Sequence, residues 1–150
     1  MHVDVVNSIF INCRPAEVSD YAANPDNVPS WYENIKSVEW RTPRPLALGS
    51  RLDFVAEFLG RRLAYTYEII ELDPGRRLVM RSAGPPFPME TTYTWEPEGS
   101  GTRMTLRNRG EPAGFSVLLA PFMSVMIGRA NRKDLALLKR RLEGLPSPGC

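Results

Sequence analysis

The sequence predicts an α+β fold in which a seven-stranded antiparallel sheet wraps around one long C-terminal helix. Three observations lead there. Six segments between Lys36 and Arg109 alternate apolar and polar residues and are separated by short turn signals, and strands joined so closely must be antiparallel, because a parallel neighbour needs a long crossover. An alternating N-terminal segment supplies a seventh strand. The chain then runs from Ala113 to Gly144 with helical character and stops at GLPSPG.

Each element has its own local reason. In residues 3–11, Val3, Val5, Asn7, Ile9 and Ile11 share one face, mostly apolar. Pro15 followed by AEVSDYAAN suits a helix with proline in its first turn, and Asn24-Pro25 ends it because a residue before proline leaves helical space. A second short helix follows in PDNVPSWYENI. The strands KSVEWRT, SRLDFVAEF, RRLAYTYEIIEL, RRLVMRS, METTYTWEP and TRMTLRNR are parted by PRPLALG, LG, DPG, AGPPFP and EGSG. In the long helix, Leu135, Leu138, Leu142 and Leu145 recur at spacings of three and four, an inward stripe that leaves Lys139, Arg140 and Arg141 outside. Its first half is apolar nearly all round, and Pro121 is expected to kink or break it.

A length of 150 residues suits one core. We expect one domain over residues 1–145 and a disordered tail over 146–150. The hydrophobic and charged fractions, 43% and 24%, are those of globular chains and exclude a disordered or coiled-coil protein. A formal charge of +2 gives no reason to expect a polyanionic partner. Cys13 and Cys150 are too few for a disulfide framework and are expected to be unpaired, which fits a reducing compartment. The N-terminus lacks the basic and apolar regions of a signal peptide, so the expected location is cytoplasmic. His2 is the single histidine. That leaves no nucleophilic triad and no ordinary zinc site, and the expectation is no metal, iron-sulfur cluster, haem or other cofactor.

The stretches PAEVSDYAANPDNVPSWYENIKSVE, LGSRLDF, YEIIELDPGRRLVMRS and TTYTWEPEGSGTRMTLRN occur in this order. Together they resemble the polyketide cyclase/dehydrase branch of the SRPBCC superfamily, the START-like and birch-pollen-allergen-like proteins of helix-grip fold. The likeness runs from about Val3 to Leu142. It implies a cavity between sheet and long helix, capped by the two short helices and holding a hydrophobic or aromatic small molecule. The family has no universal catalytic motif, so no catalytic residue is assigned.

Strand parity gives the cavity its candidate lining, since side chains alternate across a strand. The inward sets are Val38 and Trp40; Leu52, Phe54, Ala56 and Phe58; Leu63, Tyr65, Tyr67 and Ile69; Leu78, Met80 and Ser82; Met89, Thr91, Tyr93 and Trp95; Met104, Leu106 and Asn108. Asn7, Tyr65, Tyr67, Ser82, Thr91, Tyr93 and Asn108 are the polar members of the inner face, with Asn131 joining them from the helix. Buried polar groups need partners, water or a ligand. No ionisable acid or base falls on the inward strand faces; Arg129, Asp20 and Glu33 are the candidates for an inward charge, against the usual solvent-exposed role. Trp31, Tyr32 and the AGPPFP loop around Phe87 are expected at the open end, although Trp31 also fits a packing role. Met80, Met89, Met104, Met123 and Met126 fit an adaptable lining or ordinary core. The candidate ligand-binding set is Asn7, Trp31, Phe54, Tyr65, Tyr67, Met80, Phe87, Tyr93, Met104, Asn108, Met123, Ile127 and Asn131.

Three functions fit this set. The first is binding of a polyketide- or lipid-like molecule, and the alternative is a metal-free polyketide cyclase or dehydratase acting on a poly-carbonyl chain. The second alternative is an interaction module without a ligand. The apolar run from Phe115 to Ile127 is too short to span a membrane. It suits a cavity roof that doubles as a homodimer contact, with transient membrane contact as the other reading. Arg129 to Arg141 holds six basic residues and one acidic. That run reads as a solvated face, and no nucleic-acid partner is expected, since the strands lack an outward aromatic set for stacking bases.

Overall fold

The computed structural model describes residues 3–58, 60–84, 87–112, 118–145 and 149–150. Strand β1 (Val3–Ile11) leads into helix α1 (Pro15–Ala22), a single tighter turn at Pro25–Asn27, and the short helix α2 (Val28–Trp31). Strands β2 (Ile35–Trp40), β3 (Arg51–Phe58), β4 (Arg61–Asp73), β5 (Arg77–Ser82), β6 (Met89–Glu98) and β7 (Gly101–Gly110) follow, and helix α3 (Ala120–Glu143) closes the fold. The seven strands form one sheet in the order β1-β7-β6-β5-β4-β3-β2, antiparallel throughout. This is the expected helix-grip arrangement. β1 returns to pair with β7, so α1 and α2 must carry the chain from one edge of the sheet to the other, where β2 begins.

The parity reading describes the inner face. Leu52, Phe54, Ala56, Ile69, Leu78, Met80, Tyr93, Trp95, Met104 and Leu106 join Leu135, Leu138 and Leu142 of α3 in one buried cluster. Hydrophobic burial of this kind stabilises by about 1.5–3 kcal/mol per large apolar side chain. A smaller cluster of Val3, Phe87 and Ala120 sits at the start of α3, with Val5, Met89, Met123 and Ile127 packed against it.

Pro121 does not kink α3. The helix begins at Ala120, which places Pro121 in the first turn, where its missing N–H has no helical acceptor to lose. The expected earlier part of the helix, residues 113–117, lies outside the described residues. Leu118, Leu119, Phe122 and Val125, at and just before the start of α3, are exposed large apolar side chains. Among the described residues no helix is long and apolar enough to cross a membrane.

The cysteines depart from expectation: Cys13 and Cys150 are joined as a disulfide. The Arg14 N–H also donates to the Gly149 carbonyl at 2.7 Å. Residues 146–148 of the expected disordered tail lie outside the described residues, but Gly149 and Cys150 are fastened beside the start of α1. The sequence could not reveal this pairing because it depends on where the tail returns. The bond also removes one of the two grounds for expecting a reducing compartment, since disulfides are rare there.

Candidate functional site

A cavity of about 260 Å³ lies between the sheet and α3. β3 contributes Phe54 and Ala56, β4 Leu63, Tyr65 and Tyr67, and β5 Met80. β6 and β7 add Met89, Thr91, Tyr93 and Asn108, and α3 adds Met126, Ile127, Ala130, Asn131 and Asp134. Val28, Tyr32, Asn34 and Ile35, from α2 to the start of β2, complete the wall. The alternation of β4 makes Tyr65 and Tyr67 neighbours on one face, their rings 5.6 Å apart and edge-on, with the Phe54 ring 5.9 Å from that of Tyr67.

Of the sequence-derived candidates, Phe54, Tyr65, Tyr67, Met80, Tyr93, Asn108, Ile127 and Asn131 line this cavity. Five do not. Trp31 is fully buried in the main core, its ring 4.3 Å from that of Tyr32 and 5.7 Å from that of Tyr93, so it pins α2 to the sheet and forms no part of the open end. Phe87 and Met123 belong to the small cluster at the start of α3. Met104 is fully enclosed in the main core. Asn7, on β1, lies outside the wall, and among the described residues its Oδ1 has no hydrogen-bond partner; neither has Nδ2 of Asn131 on the helix that packs against β1. Parity identifies the inner face but not how far along it the cavity extends.

The polar groups form two hydrogen-bonded sets. Thr91 donates its hydroxyl to Asn108 Oδ1 at 2.6 Å. Tyr67, 3.3 Å from Thr91 Oγ1, therefore donates to it, which leaves the Tyr67 oxygen as an acceptor. The second set is Tyr32 and Tyr93, whose hydroxyl oxygens lie 2.6 Å apart. Only one proton is needed between them, so the other remains available. Burial pushes Tyr32, Tyr65, Tyr67 and Tyr93 above the usual phenol range, with nearby Asp134 adding to the rise at Tyr32, Tyr65 and Tyr93. All four are neutral at physiological pH.

Sequence reasoning missed Asp134. It is 3% exposed and lines the cavity, while Arg129, Asp20 and Glu33, the candidates for an inward charge, are exposed. Its Oδ1 accepts the Glu33 backbone N–H at 3.0 Å. Burial raises its pKa to about 6, a rise moderated by that hydrogen bond and reinforced by the Glu33 charge. The residue falls within the run that reads as basic and solvated. The signal was its spacing, three residues after Asn131 and four before Leu138, on the inward stripe. Asp134 is the only carboxyl in the wall, and no arginine or lysine joins it among the described residues. Nor do three histidine, cysteine, aspartate or glutamate side chains gather there or elsewhere among the described residues to hold a metal ion.

A seven-stranded antiparallel sheet held against a C-terminal helix, with a cavity between them, defines a helix-grip protein of the START-like class. Over residues 2–143 the sequence matches the family described as polyketide cyclase / dehydrase and lipid transport, and the chain belongs to that family. Among solved structures it is similar to TTHA0849 from Thermus thermophilus, at 22% identity and a TM-score of 0.80, covering 96% of this chain and 99% of that one. It is also similar to a START superfamily protein from Mycobacterium smegmatis, at 14% identity and a TM-score of 0.78, covering 95% and 98%. The di-domain ARO/CYC StfQ from the steffimycin biosynthetic pathway aligns at 15% identity and a TM-score of 0.79, covering 95% of this chain and 52% of that one. At these identities the likeness is one of fold. No curated protein matches the sequence.

Proposed function

We propose that the protein binds a hydrophobic or aromatic small molecule in the cavity between the sheet and α3. The observation that carries this reading is the wall itself: about 260 Å³ lined by aromatic, methionine and aliphatic side chains with a few oriented hydroxyls, the usual composition of a small-molecule site. A dry cavity of about 150 Å³ takes one benzene ring, so this one has room for a two-ring body. The family description, which includes lipid transport, supports the same reading.

Native mass spectrometry of protein purified without detergent tests it. A small apolar molecule, native or added as 2-naphthylmethanol, is expected at one per chain. It should be lost in Ala130→Trp, which fills the cavity from α3 at an overpacking cost of about 1–3 kcal/mol. A chain that binds neither would contradict the proposal.

Asp134 supports a second reading, cyclisation or dehydration of a bound poly-carbonyl chain. A buried carboxyl with a pKa of about 6 is suited to moving protons near neutral pH, and the Tyr32 and Tyr93 hydroxyls could polarise a carbonyl. In that case Asp134→Asn would lower turnover about 100-fold or more with little loss of binding.

We also propose that the exposed apolar start of α3, with Leu118, Phe122 and Val125, contacts a second copy of the chain. Sedimentation at increasing concentration would show a dimer, and Phe122→Glu would abolish it; a monomer at every concentration would rule it out.

A further inference from the structure

Among the described residues, the cavity combines an aromatic wall with one buried acid and no base. Tyr32, Phe54, Tyr65, Tyr67 and Tyr93 present rings around the space into which α3 brings Asp134. Aromatic faces attract cations through their quadrupole, and aromatic cages are a recurring receptor for ammonium groups. Among the described residues, Asp134 accepts one backbone hydrogen bond, from Glu33, and forms no ion pair. A buried carboxylate with so little compensation is costly when charged, and a cation supplied by a guest would relieve that cost.

We propose that the cavity selects a cation: a guest with an aromatic or apolar body and an ammonium group that pairs with Asp134 inside the tyrosine wall. This rests on the ligand-binding reading above and names the chemistry of the guest. Carboxylates and phosphates are disfavoured by the same charge. Among the described residues, no group facing Asp134 supplies a positive charge. From the segment after α2 come the Tyr32 phenol and the Glu33 carboxylate, and from β4 and β6 the phenols of Tyr65 and Tyr93. On α3 itself, Arg132 and Lys133 are exposed. The preference should therefore follow ionisation of Asp134, whose pKa is about 6.

Three probes of one shape test this by calorimetry: 2-naphthylmethylamine, 2-naphthylmethanol and 2-naphthoate. At pH 7.5 the amine is expected to bind at least about tenfold more tightly than the alcohol, with the naphthoate weakest; tenfold is the scale of one hydrogen bond between charged groups, here the ammonium and Asp134. At pH 4.5 the amine is still protonated but Asp134 is not ionised, and the preference should vanish. Asp134→Asn keeps an acceptor for the Glu33 N–H, and the ratio of amine to alcohol affinity at pH 7.5 should fall to about one. Alcohol binding with no gain for the amine would overturn the cation proposal alone, as would a preference that survives in Asp134→Asn or at pH 4.5. Failure of all three probes to bind would overturn the ligand-binding reading and this proposal together.

Discussion

The hydroxyls of Tyr32 and Tyr93 meet at 2.6 Å across a sequence separation of 61 residues. This bond ties the end of α2, which closes the cavity, to β6, an interior strand of the sheet. The Trp31 ring beneath it touches both tyrosines.

Removing either hydroxyl leaves the other buried with one partner fewer. Tyr32→Phe or Tyr93→Phe is expected to cost about 1 kcal/mol, and the double variant clearly less than the sum of the two. Urea unfolding of the four proteins checks this. Additive losses would mean that the two hydroxyls do not act as a pair.

Asp134 makes stability depend on pH in the direction opposite to a salt-bridged carboxylate. Its pKa rises from an ordinary 3.8 to about 6 on folding, so the folded state holds the proton more tightly. Its contribution is full below about pH 4 and is lost as the pH rises through about 6. Asp134→Asn should therefore match the native protein near pH 3.5 and gain up to about 3 kcal/mol over it at pH 7.5, at about 1.4 kcal/mol per unit. Asp26, Asp53 and Glu143 are held below the usual carboxylate range and act in the opposite sense. The informative quantity is thus the difference between the two proteins across pH. A constant difference would contradict the assignment.

The bond between Cys13 and Cys150 closes a loop with a sequence separation of 137. Cys150→Ser, or reduction of the native protein, is expected to cost about 2–4 kcal/mol. Thermal unfolding with and without reductant should separate for the native chain and coincide for Cys150→Ser. Coincidence in both would mean that the bond does not stabilise the fold.

Gly110 ends β7 where there is no room for a side chain. A Cβ there would overlap both Met89 Sδ and Phe87 Cε2. Gly110→Ala should displace Phe87 from its cluster with Val3 and Ala120 and cost about 1–3 kcal/mol, read by denaturant unfolding. An unchanged midpoint would contradict this packing.

The strands and their inward faces are legible because the two-residue period of a strand survives in sequence: Tyr65, Tyr67, Tyr93 and Phe54 all face inward by alternation alone. Depth along the sheet is not legible. Met80 and Met104 have the same parity, yet one lines the cavity and the other fills the core. Pro121 reads as a kink because the apolar residues before it look helical, and the sequence does not say on which residue a helix starts. Asp134 is hidden by the exposed Arg132 and Lys133 before it. The Cys13–Cys150 pairing depends on a tail whose path no local rule fixes.

Whether a guest occupies the space between the sheet and α3 is reported directly by the methionine methyl groups. Met80, Met89 and Met126 line the cavity, whereas Met104 and Met123 do not. In a carbon-13 methyl NMR titration with 2-naphthylmethanol, the resonances of the first three should shift in a saturable way while those of Met104 and Met123 stay nearly in place. No saturable shift at Met80, Met89 and Met126, or shifts confined to Met123 at the start of α3, would contradict the account.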